Sequence, residues 1–175
     1  MDINLDFFKK GERQREIEEI KKKHKKVIST LHPFDMFHAD YTTLIFDGEN
    51  LIGYVASFKD MCTRINTPIP QGEYYIAIND LTLVDSDKYR GAGLCKTLLK
   101  YTISSFKTQG FKFIKTVNVS DVVDGIPACR CYTRAGIESG YIVVRREKLF
   151  NEDGRIKGAF EYNVMDLEKL SEHCT

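Results

Sequence analysis

The chain lacks an excess of charge of either sign and has no long apolar run. It has 175 residues, with 26 Lys and Arg against 25 Asp and Glu, and 42% of its residues are hydrophobic. The balanced charge favours neither nucleic acid nor an acidic surface as a partner. The composition excludes collagen-like, disordered and membrane-spanning chains. At about 150 residues per domain, the length predicts one domain over residues 1–175.

Signals for secretion and for metal binding are also missing. Met1–Lys10 lacks the apolar core of a signal peptide, so we expect a cytoplasmic protein whose five cysteines are all reduced. Cys129 and Cys131 form a single close pair, and the four histidines are scattered without ligand spacing. We therefore expect no metal, no nucleic-acid partner and no membrane partner.

Hydrophobic periodicity predicts a mixture of helices and strands. Apolar residues at helical spacing predict an N-terminal helix over about Gly11–Leu31, whose lysine run at Lys21–Lys26 is more typical of a solvated helix end than of a phosphate-binding face. The later predicted elements are a hairpin over Thr42–Phe46 and Leu51–Phe58, a strand over Tyr74–Val84, a helix from Leu94 to near Gly110, a strand over Phe111–Val119, a short helix over Pro127–Arg134, and a hairpin over Tyr141–Phe150 and Lys157–Met165.

The third predicted strand carries an irregularity. Ile76 and Ile78 share one face of this strand. Leu81 and Leu83 continue the alternation, but one residue out of phase. An extra residue at Asn79-Asp80 explains the shift, which predicts a β-bulge. The alternative is a strand buried on both faces, in which case the phase carries no information.

The residues after this strand have a layout that suits an anion. Gly91 and Gly93 allow a sharp backbone turn close to a ligand, and the first turn of the next helix has N–H groups without intrahelical acceptors. Lys88 and Arg90 add positive charge. A diphosphate fits such a loop. The Walker A pattern is absent, and Lys96 stands where the Rossmann fingerprint needs a third glycine.

Two motifs follow in an order that is typical of one family. Arg90-Gly-Ala-Gly93 comes after the irregular strand, and Ala128-x-x-x-Tyr132 is followed by Gly136-Ile137. In these motifs the chain resembles the GCN5-related N-acetyltransferases, the GNAT superfamily. It departs from the family pattern in three places: Cys95 stands where Gly or Ala is usual, Ile137 replaces a Phe, and the Asn expected near Gly125 is missing.

The resemblance implies an α/β (α+β) fold with a central mixed, mostly antiparallel sheet of about six or seven strands, one of them bulged and splayed, and flanking helices. The acyl-CoA core would span about 42–165. The implied function is an N-acyltransferase that moves an acetyl (acyl) group from acetyl-CoA to a primary amine by direct attack in a ternary complex. The alternative is a non-catalytic acyl-CoA-binding sensor or scaffold. Whether the amine is a small molecule or a peptide, and whether the protein is a monomer or a homodimer, stays open.

The resemblance also implies catalytic residues. Tyr132 matches the position that protonates the departing thiolate, since a phenol with a pKa of about 10 is close to a thiol in acidity. The alternative for Tyr132 is a packed aromatic residue. Asp80 is the first choice for the general base and Glu73 the second, because Asn79 stands where many relatives carry Glu. The alternative for Asp80 is to accept hydrogen bonds from amides of the bulge.

The implied contacts with the cofactor lie in and before the glycine loop. The pantetheine arm would pair with the backbone of Leu83 and Val84. The diphosphate would lie at the following residues: Lys88, Arg90, Gly91, Ala92, Gly93, Leu94 and Cys95.

Overall fold

A computed structural model describes residues 1–31, 36–63 and 70–119, together with strands at 122–123, 126–127, 145–150 and 156–163. The elements in chain order are β1 (Ile3–Lys9), α1 (Gln14–Lys23), α2 (Lys25–Thr30), β2 (Tyr41–Asp47), β3 (Asn50–Met61), β4 (Tyr74–Leu83), α3 (Leu94–Thr108), β5 (Ile114–Val119), β6 (Val122–Val123), β7 (Ile126–Pro127), β8 (Arg145–Phe150) and β9 (Ile156–Asn163).

Seven strands form a mixed sheet. Their order is β1-β2-β3-β4-β5-β9-β8, and β6 and β7 form a separate pair. Pairing is antiparallel between β1 and β2, β2 and β3, β5 and β9, and β8 and β9, whereas β4 and β5 are parallel. This confirms the predicted mixed, mostly antiparallel sheet with flanking helices.

The chain divides into two compact units, and β3 and β4 contribute residues to both. The first unit contains Met1–Phe58 and Asn79–Thr102, and the second contains Lys59–Ile78 and Ile103–Thr175. The organisation of residues 1–175 as a single domain stays a prediction.

The core of the first unit lies on both faces of the β1–β3 part of the sheet. On one face, strand residues pack with α1, α2 and the segment after them. The buried residues of this cluster are Phe8, Ile17, Leu31, Met36, Ala39, Leu44, Leu51, Tyr54 and Ala56. Neighbouring residues of a strand point to opposite faces, and Thr43, next to Leu44, is hydrogen bonded to Thr102 of α3, with 2.9 Å between their hydroxyl oxygens. The start of α3 therefore covers the other face.

The single N-terminal helix predicted over Gly11–Leu31 is wrong, because the chain forms two helices there. His24 leaves the helical conformation, with φ at −110° and ψ at 19°. Its N–H donates to the Ile20 carbonyl (2.9 Å), which ends α1, and its carbonyl accepts from the Ile28 N–H (2.9 Å), which begins α2. The apolar spacing continues across this break, so periodicity alone does not reveal it.

Two further elements differ from the sequence prediction. β1 was not predicted, although Ile3, Leu5 and Phe7 alternate along it. The sequence predicts a short helix that begins at Pro127, but Ile126–Pro127 is a strand that pairs with β6. Residues 128–134 of the predicted helix lie outside the described residues. In the described ranges, no helix combines the length and the apolar character that crossing a membrane requires.

Two hydrogen bonds fix the register between β3 and β4. The Cys62 N–H donates to the Glu73 carbonyl (2.9 Å). The Val84 N–H donates to the Ile52 carbonyl (2.8 Å). From 73 to 84 the chain advances by eleven positions, and from 52 to 62 by ten, so β4 contains one extra residue. A β-bulge inserts one such residue. A bulge in this span of β4 is therefore confirmed, and its predicted position at Asn79-Asp80 stays a prediction.

The second unit contains the parallel part of the sheet. Ile76–Ile78 of β4 pair with Ile114–Thr116 of β5. β5 then pairs with β9 through Lys115–Val119, and β9 pairs with β8. Among the described residues the pairing of β4 with β5 stops at Ile78, while β4 itself continues to Leu83. The predicted splay of β4 stays a prediction.

Gly53 allows β3 and β4 to approach closely. A Cβ atom at this position would lie 2.6 Å from the Leu83 Cδ2 atom and 2.6 Å from the Thr82 carbonyl oxygen. The second of these atoms belongs to the backbone and cannot rotate away. Any larger side chain at residue 53 must therefore push the two strands apart.

We predict that Gly53→Ala lowers the free energy of unfolding by roughly 1–3 kcal/mol, the usual cost of forcing extra atoms into a packed site. Urea denaturation measures this change. Ser57→Ala on the same strand is the matched control. The Ser57 hydroxyl is buried and has no hydrogen-bond partner among the described residues, so its removal should be neutral or slightly stabilising. Equal stability of Gly53→Ala and the wild type would contradict the close approach.

Candidate functional site

The connection from β4 to α3 is a turn that depends on two glycines. Gly91 and Gly93 have positive φ angles of 69° and 72°, a conformation that glycine adopts without steric cost. The Gly93 carbonyl accepts the Thr97 N–H (3.0 Å), so α3 begins directly after it. Residues 90–93 are exposed to solvent. The first N–H groups and the dipole of α3 therefore face an accessible turn, which favours an anion.

Arg90 is held over this turn by acidic residues of the same loop. Its guanidinium lies 2.5 Å from Asp85 and 3.3 Å from Asp87, measured between nitrogen and carboxylate oxygen. Both carboxylates are almost fully exposed, and ion pairs in water are weak. Arg90 is therefore held next to the turn by ion pairs that contribute little to stability.

Lys88 has a different partner from the one that the sequence suggested. Its ammonium group lies 2.7 Å from Oδ2 of Asp47, at the end of β2. The Asp47 side chain is only 8% exposed, whereas that of Lys88 is 60% exposed. The Tyr89 hydroxyl donates to the same oxygen (3.0 Å), and the Asp2 N–H donates to Oδ1 (2.9 Å). The Lys88 side chain, predicted to contact the cofactor, is thus committed to a buried carboxylate.

These contacts keep Asp47 ionised. The hydrogen bond from Lys88 is the main cause that lowers the pKa of Asp47 from 3.8 to about 2, with smaller contributions from the Asp2 N–H and the Tyr89 hydroxyl. The same hydrogen bond raises the pKa of Lys88 above its usual 10.5. The pair therefore stays charged throughout the pH range in which proteins normally work.

Asp80 lies in the second half of β4 and is held by two hydroxyl groups. The Tyr54 hydroxyl donates to Oδ2, and the Thr82 hydroxyl donates to Oδ1 (3.0 Å). Tyr54 is fully buried in β3, and its hydroxyl also lies 3.1 Å from the Leu31 carbonyl oxygen. Sequence reasoning missed Tyr54, because nothing in its local pattern distinguishes it from other core residues of β3.

The other two predicted catalytic residues are not brought to Asp80 by the described contacts. Glu73 comes just before β4, in a turn where its N–H donates to the Pro70 carbonyl (3.1 Å). Seven residues separate it from Asp80, which is about 23 Å along an extended strand. Glu73 thus precedes the strand, whereas the glycine turn follows it. Tyr132 lies outside the described residues.

Leu83 and Val84, predicted to pair with the pantetheine arm, differ in their backbone bonding. The Val84 N–H is used by β3, because it donates to the Ile52 carbonyl. In an antiparallel pair, successive residues direct their backbone groups alternately toward and away from the partner strand. The N–H and carbonyl groups of Leu83 therefore point away from β3, which makes Leu83 the better candidate for a backbone contact with a ligand.

Cys95, in the first turn of α3, is disulfide-bonded, whereas Cys62 is a buried free thiol. The expectation that all five cysteines are reduced is therefore wrong at Cys95. The sequence does not show which cysteines approach each other in space, so spacing along the chain gives no warning of this bond.

A family comparison decides what this arrangement belongs to. The model of the acetyltransferase (GNAT) family matches residues 6–137, from β1 to just beyond the second motif. The chain belongs to the acetyltransferase (GNAT) family. It is therefore a GNAT-type N-acetyltransferase, which confirms the family predicted from the two motifs.

Solved structures of GNAT enzymes share this fold. The aminoglycoside 6'-acetyltransferase type Ii has a TM-score of 0.55 and 14% identity, with 91% of this chain and 95% of that chain covered. The NatC complex bound to Gag peptide and CoA has a TM-score of 0.53 and 16% identity, with 95% of this chain and 99% of that chain covered. Naa50 of Arabidopsis thaliana with the bisubstrate analogue CoA-Ac-MVNAL has a TM-score of 0.52 and 15% identity, with 93% of this chain and 97% of that chain covered. At these identities the similarity shows the fold. Among curated proteins, none matches the chain.

The Asp47 contacts in this GNAT chain give a defined pH dependence. Because the pKa of folded Asp47, about 2, lies below its ordinary value of 3.8, the ionised form stabilises the fold above about pH 4. This contribution is lost as the pH falls toward 2.

We predict that the difference in free energy of unfolding between the wild type and Asp47→Asn is constant from pH 8 to 5 and narrows between pH 4 and 2. Urea denaturation at each pH measures it. A difference that narrows already between pH 7 and 5 would contradict this assignment, because a group that titrates near neutrality would then be responsible.

Proposed function

We propose that this GNAT enzyme transfers an acetyl group from acetyl-CoA to the amine of a peptide or a small molecule, by direct attack in a ternary complex. The observation that carries the proposal is the exposed glycine turn at the start of α3. Its first glycine, Gly91, comes eight residues after Leu83, where β4, the strand that carries Asp80, ends. An anion site and a held carboxylate on one continuous segment are what acyl transfer from CoA needs.

The coenzyme would bind along this segment. Its diphosphate would accept hydrogen bonds from the amides at Gly91–Leu94, with the dipole of α3 favouring the negative charge. Arg90 would leave Asp85 and Asp87 and pair with a phosphate. The pantetheine arm would pair with the outward backbone groups of Leu83. The CoA named in the NatC and Naa50 structures, which share this fold, supports the same ligand here.

The chemistry requires one proton acceptor and one proton donor. The substrate ammonium must lose a proton before its nitrogen lone pair attacks the thioester carbonyl carbon. The new C–N bond forms as the C–S bond breaks. The nitrogen then loses its second proton and the leaving thiolate takes up one, so that the whole reaction releases one proton to solvent. Asp80 is suited to accept the first proton, directly or through water, because two hydroxyls fix its orientation. Asn79, its neighbour, cannot accept a proton. Tyr132 would supply the proton to the thiolate.

The acceptor is proposed only as a class. A Gag peptide and an aminoglycoside are named for two enzymes of this fold. A peptide amine and a small-molecule amine are both compatible with an attack by a neutral nitrogen. A panel that contains both classes, with release of free CoA thiol as the readout, identifies which one this enzyme prefers.

We predict that Asp80→Asn lowers kcat by about 10²- to 10⁴-fold, the usual contribution of a general base, and that CoA affinity is kept. Thiol release measures kcat, and calorimetry measures affinity. Asp60→Asn is the matched control, because Asp60 is an exposed carboxylate that accepts a hydrogen bond from Tyr75 (3.2 Å). It should retain wild-type kcat. Unchanged turnover in Asp80→Asn would exclude Asp80 as the base and return Glu73 to consideration.

We predict that Tyr132→Phe also lowers kcat, by about 10²-fold, since general acid catalysis contributes at least this much. CoA affinity should be unaffected by the loss of one hydroxyl.

If wild-type protein binds CoA but acetylates no amine in the panel, the alternative of a non-catalytic sensor replaces the proposal. If saturating CoA does not raise the Tm at all, both are wrong.

A further inference from the structure

Asp47 ties the middle of the β4–α3 loop to the end of β2. Lys88 and Tyr89 are consecutive residues of this loop, and both donate to Oδ2 of Asp47, at 2.7 and 3.0 Å. Asp47 itself is fixed, because it is buried in β2 and its other oxygen accepts the Asp2 N–H. Two adjacent loop side chains thus donate to one buried carboxylate, more than 40 positions away in the sequence.

The other contacts described within the loop are weaker and exposed. The Tyr89 N–H donates to the Ser86 carbonyl (3.0 Å), and the Lys88 N–H donates to the Ser86 hydroxyl (3.3 Å). The ion pairs of Arg90 are solvent-exposed and contribute little. Gly91 and Gly93 follow. Glycine has more backbone freedom than any other residue type and loses the most conformational entropy when it is ordered. A loop of this composition needs an external anchor to keep its shape.

We infer that Asp47 is a positioning residue for the coenzyme: through Lys88 and Tyr89 it holds the loop in the shape that presents the amides at 91–94 to a diphosphate. The inference rests on the proposed function and adds to it a residue outside both motifs. It also reassigns Lys88, whose charge serves the loop and not the phosphate. Because the loop is already ordered, binding of the ligand costs less conformational entropy of the loop.

The sign of one effect separates this role from simple electrostatics. Asp47→Asn removes a negative charge close to an anion site and releases Lys88, so charge alone would make CoA bind more tightly. Loss of the anchor makes CoA bind more weakly, because the loop must then be ordered at each binding event. We expect calorimetry at 0.15 M salt to show a Kd for CoA about tenfold higher in Asp47→Asn. The KM for acetyl-CoA should rise by a similar factor, with a smaller change in kcat.

Lys88→Gln provides the second arm. If Lys88 contacted a phosphate, Lys88→Gln would weaken binding while Asp47→Asn would strengthen it. If Asp47 and Lys88 act through one anchor, each substitution weakens CoA binding. The double variant Asp47→Asn with Lys88→Gln should then lose no more CoA affinity than the single variant with the larger loss. Lys88→Arg keeps a cation for Asp47 and should remain close to the wild type. Tighter CoA binding in Asp47→Asn, or additive losses in the double variant, would overturn the inference.

The matched control is Glu49→Gln. Glu49 lies two residues from Asp47 and is 87% exposed. Its described partner is Lys23 of α1, and none of its described contacts is with the β4–α3 loop. This variant makes the same change of charge and should bind CoA as the wild type does. A loss equal to that of Asp47→Asn would show that a general charge effect is responsible and would also overturn the inference.

Hydrogen exchange of the ligand-free protein tests the anchor independently of CoA. Amides at 85–93 should exchange faster in Asp47→Asn than in the wild type or Glu49→Gln. Equal exchange would overturn the anchor. If wild-type protein does not bind CoA, the proposed function fails, and exchange still decides whether Asp47 holds the loop. If Asp47→Asn does not fold, the double variant Lys88→Gln with Tyr89→Phe removes the same two hydrogen bonds and serves in both experiments.

Discussion

A loop that receives a diphosphate must keep several backbone amides directed at one point while its own charged side chains stay off that point. We infer that in this chain the contact between Asp47 and the Lys88–Tyr89 pair meets that requirement. It holds the Lys88 ammonium on a buried carboxylate and connects the loop to the end of β2. The conformation of the turn at Gly91 and Gly93 then follows from residues that precede it, before any ligand arrives.

The strand before the loop imposes a second condition, which acts through the backbone. One extra residue in β4 changes which of its backbone groups face β3, so Val84 is bonded to Ile52 while Leu83 is turned away. Gly53 makes this register accessible, because any side chain there would meet the Thr82 carbonyl. The same strand carries Asp80, held by a buried tyrosine and by Thr82. The strand register, the proposed coenzyme contact and the proposed general base therefore all lie on one segment.

Local features of this protein could be read from the sequence. The out-of-phase leucines at 81 and 83 predict the extra residue in β4, and the Asp-Gly pair predicts the β2–β3 hairpin. Both patterns extend over only a few residues. The helix after Gly93 was also predicted from its start at Leu94. These elements need no knowledge of distant parts of the chain.

What the sequence did not reveal depends on pairs that are far apart. The partner of Lys88 is 41 positions away, the partner of Asp80 in β3 is 26 positions away, and the disulfide at Cys95 needs spatial proximity. The break at His24 was hidden because apolar spacing continues through it. Lys88 is the clearest example. A cation in a loop of this type is expected to contact phosphate directly, and only the fold shows that Lys88 is bonded to the buried carboxylate of Asp47.

The proposed function depends most directly on binding of the CoA diphosphate by the amides of the β4–α3 turn. Backbone amide shifts of ¹⁵N-labelled protein during a CoA titration test it residue by residue. We expect the largest shifts at Gly91, Gly93 and Leu94, a further shift at Leu83, and small shifts at Lys10 and Glu12 near β1. Saturable CoA binding that leaves the amides at 91–94 unshifted would contradict it.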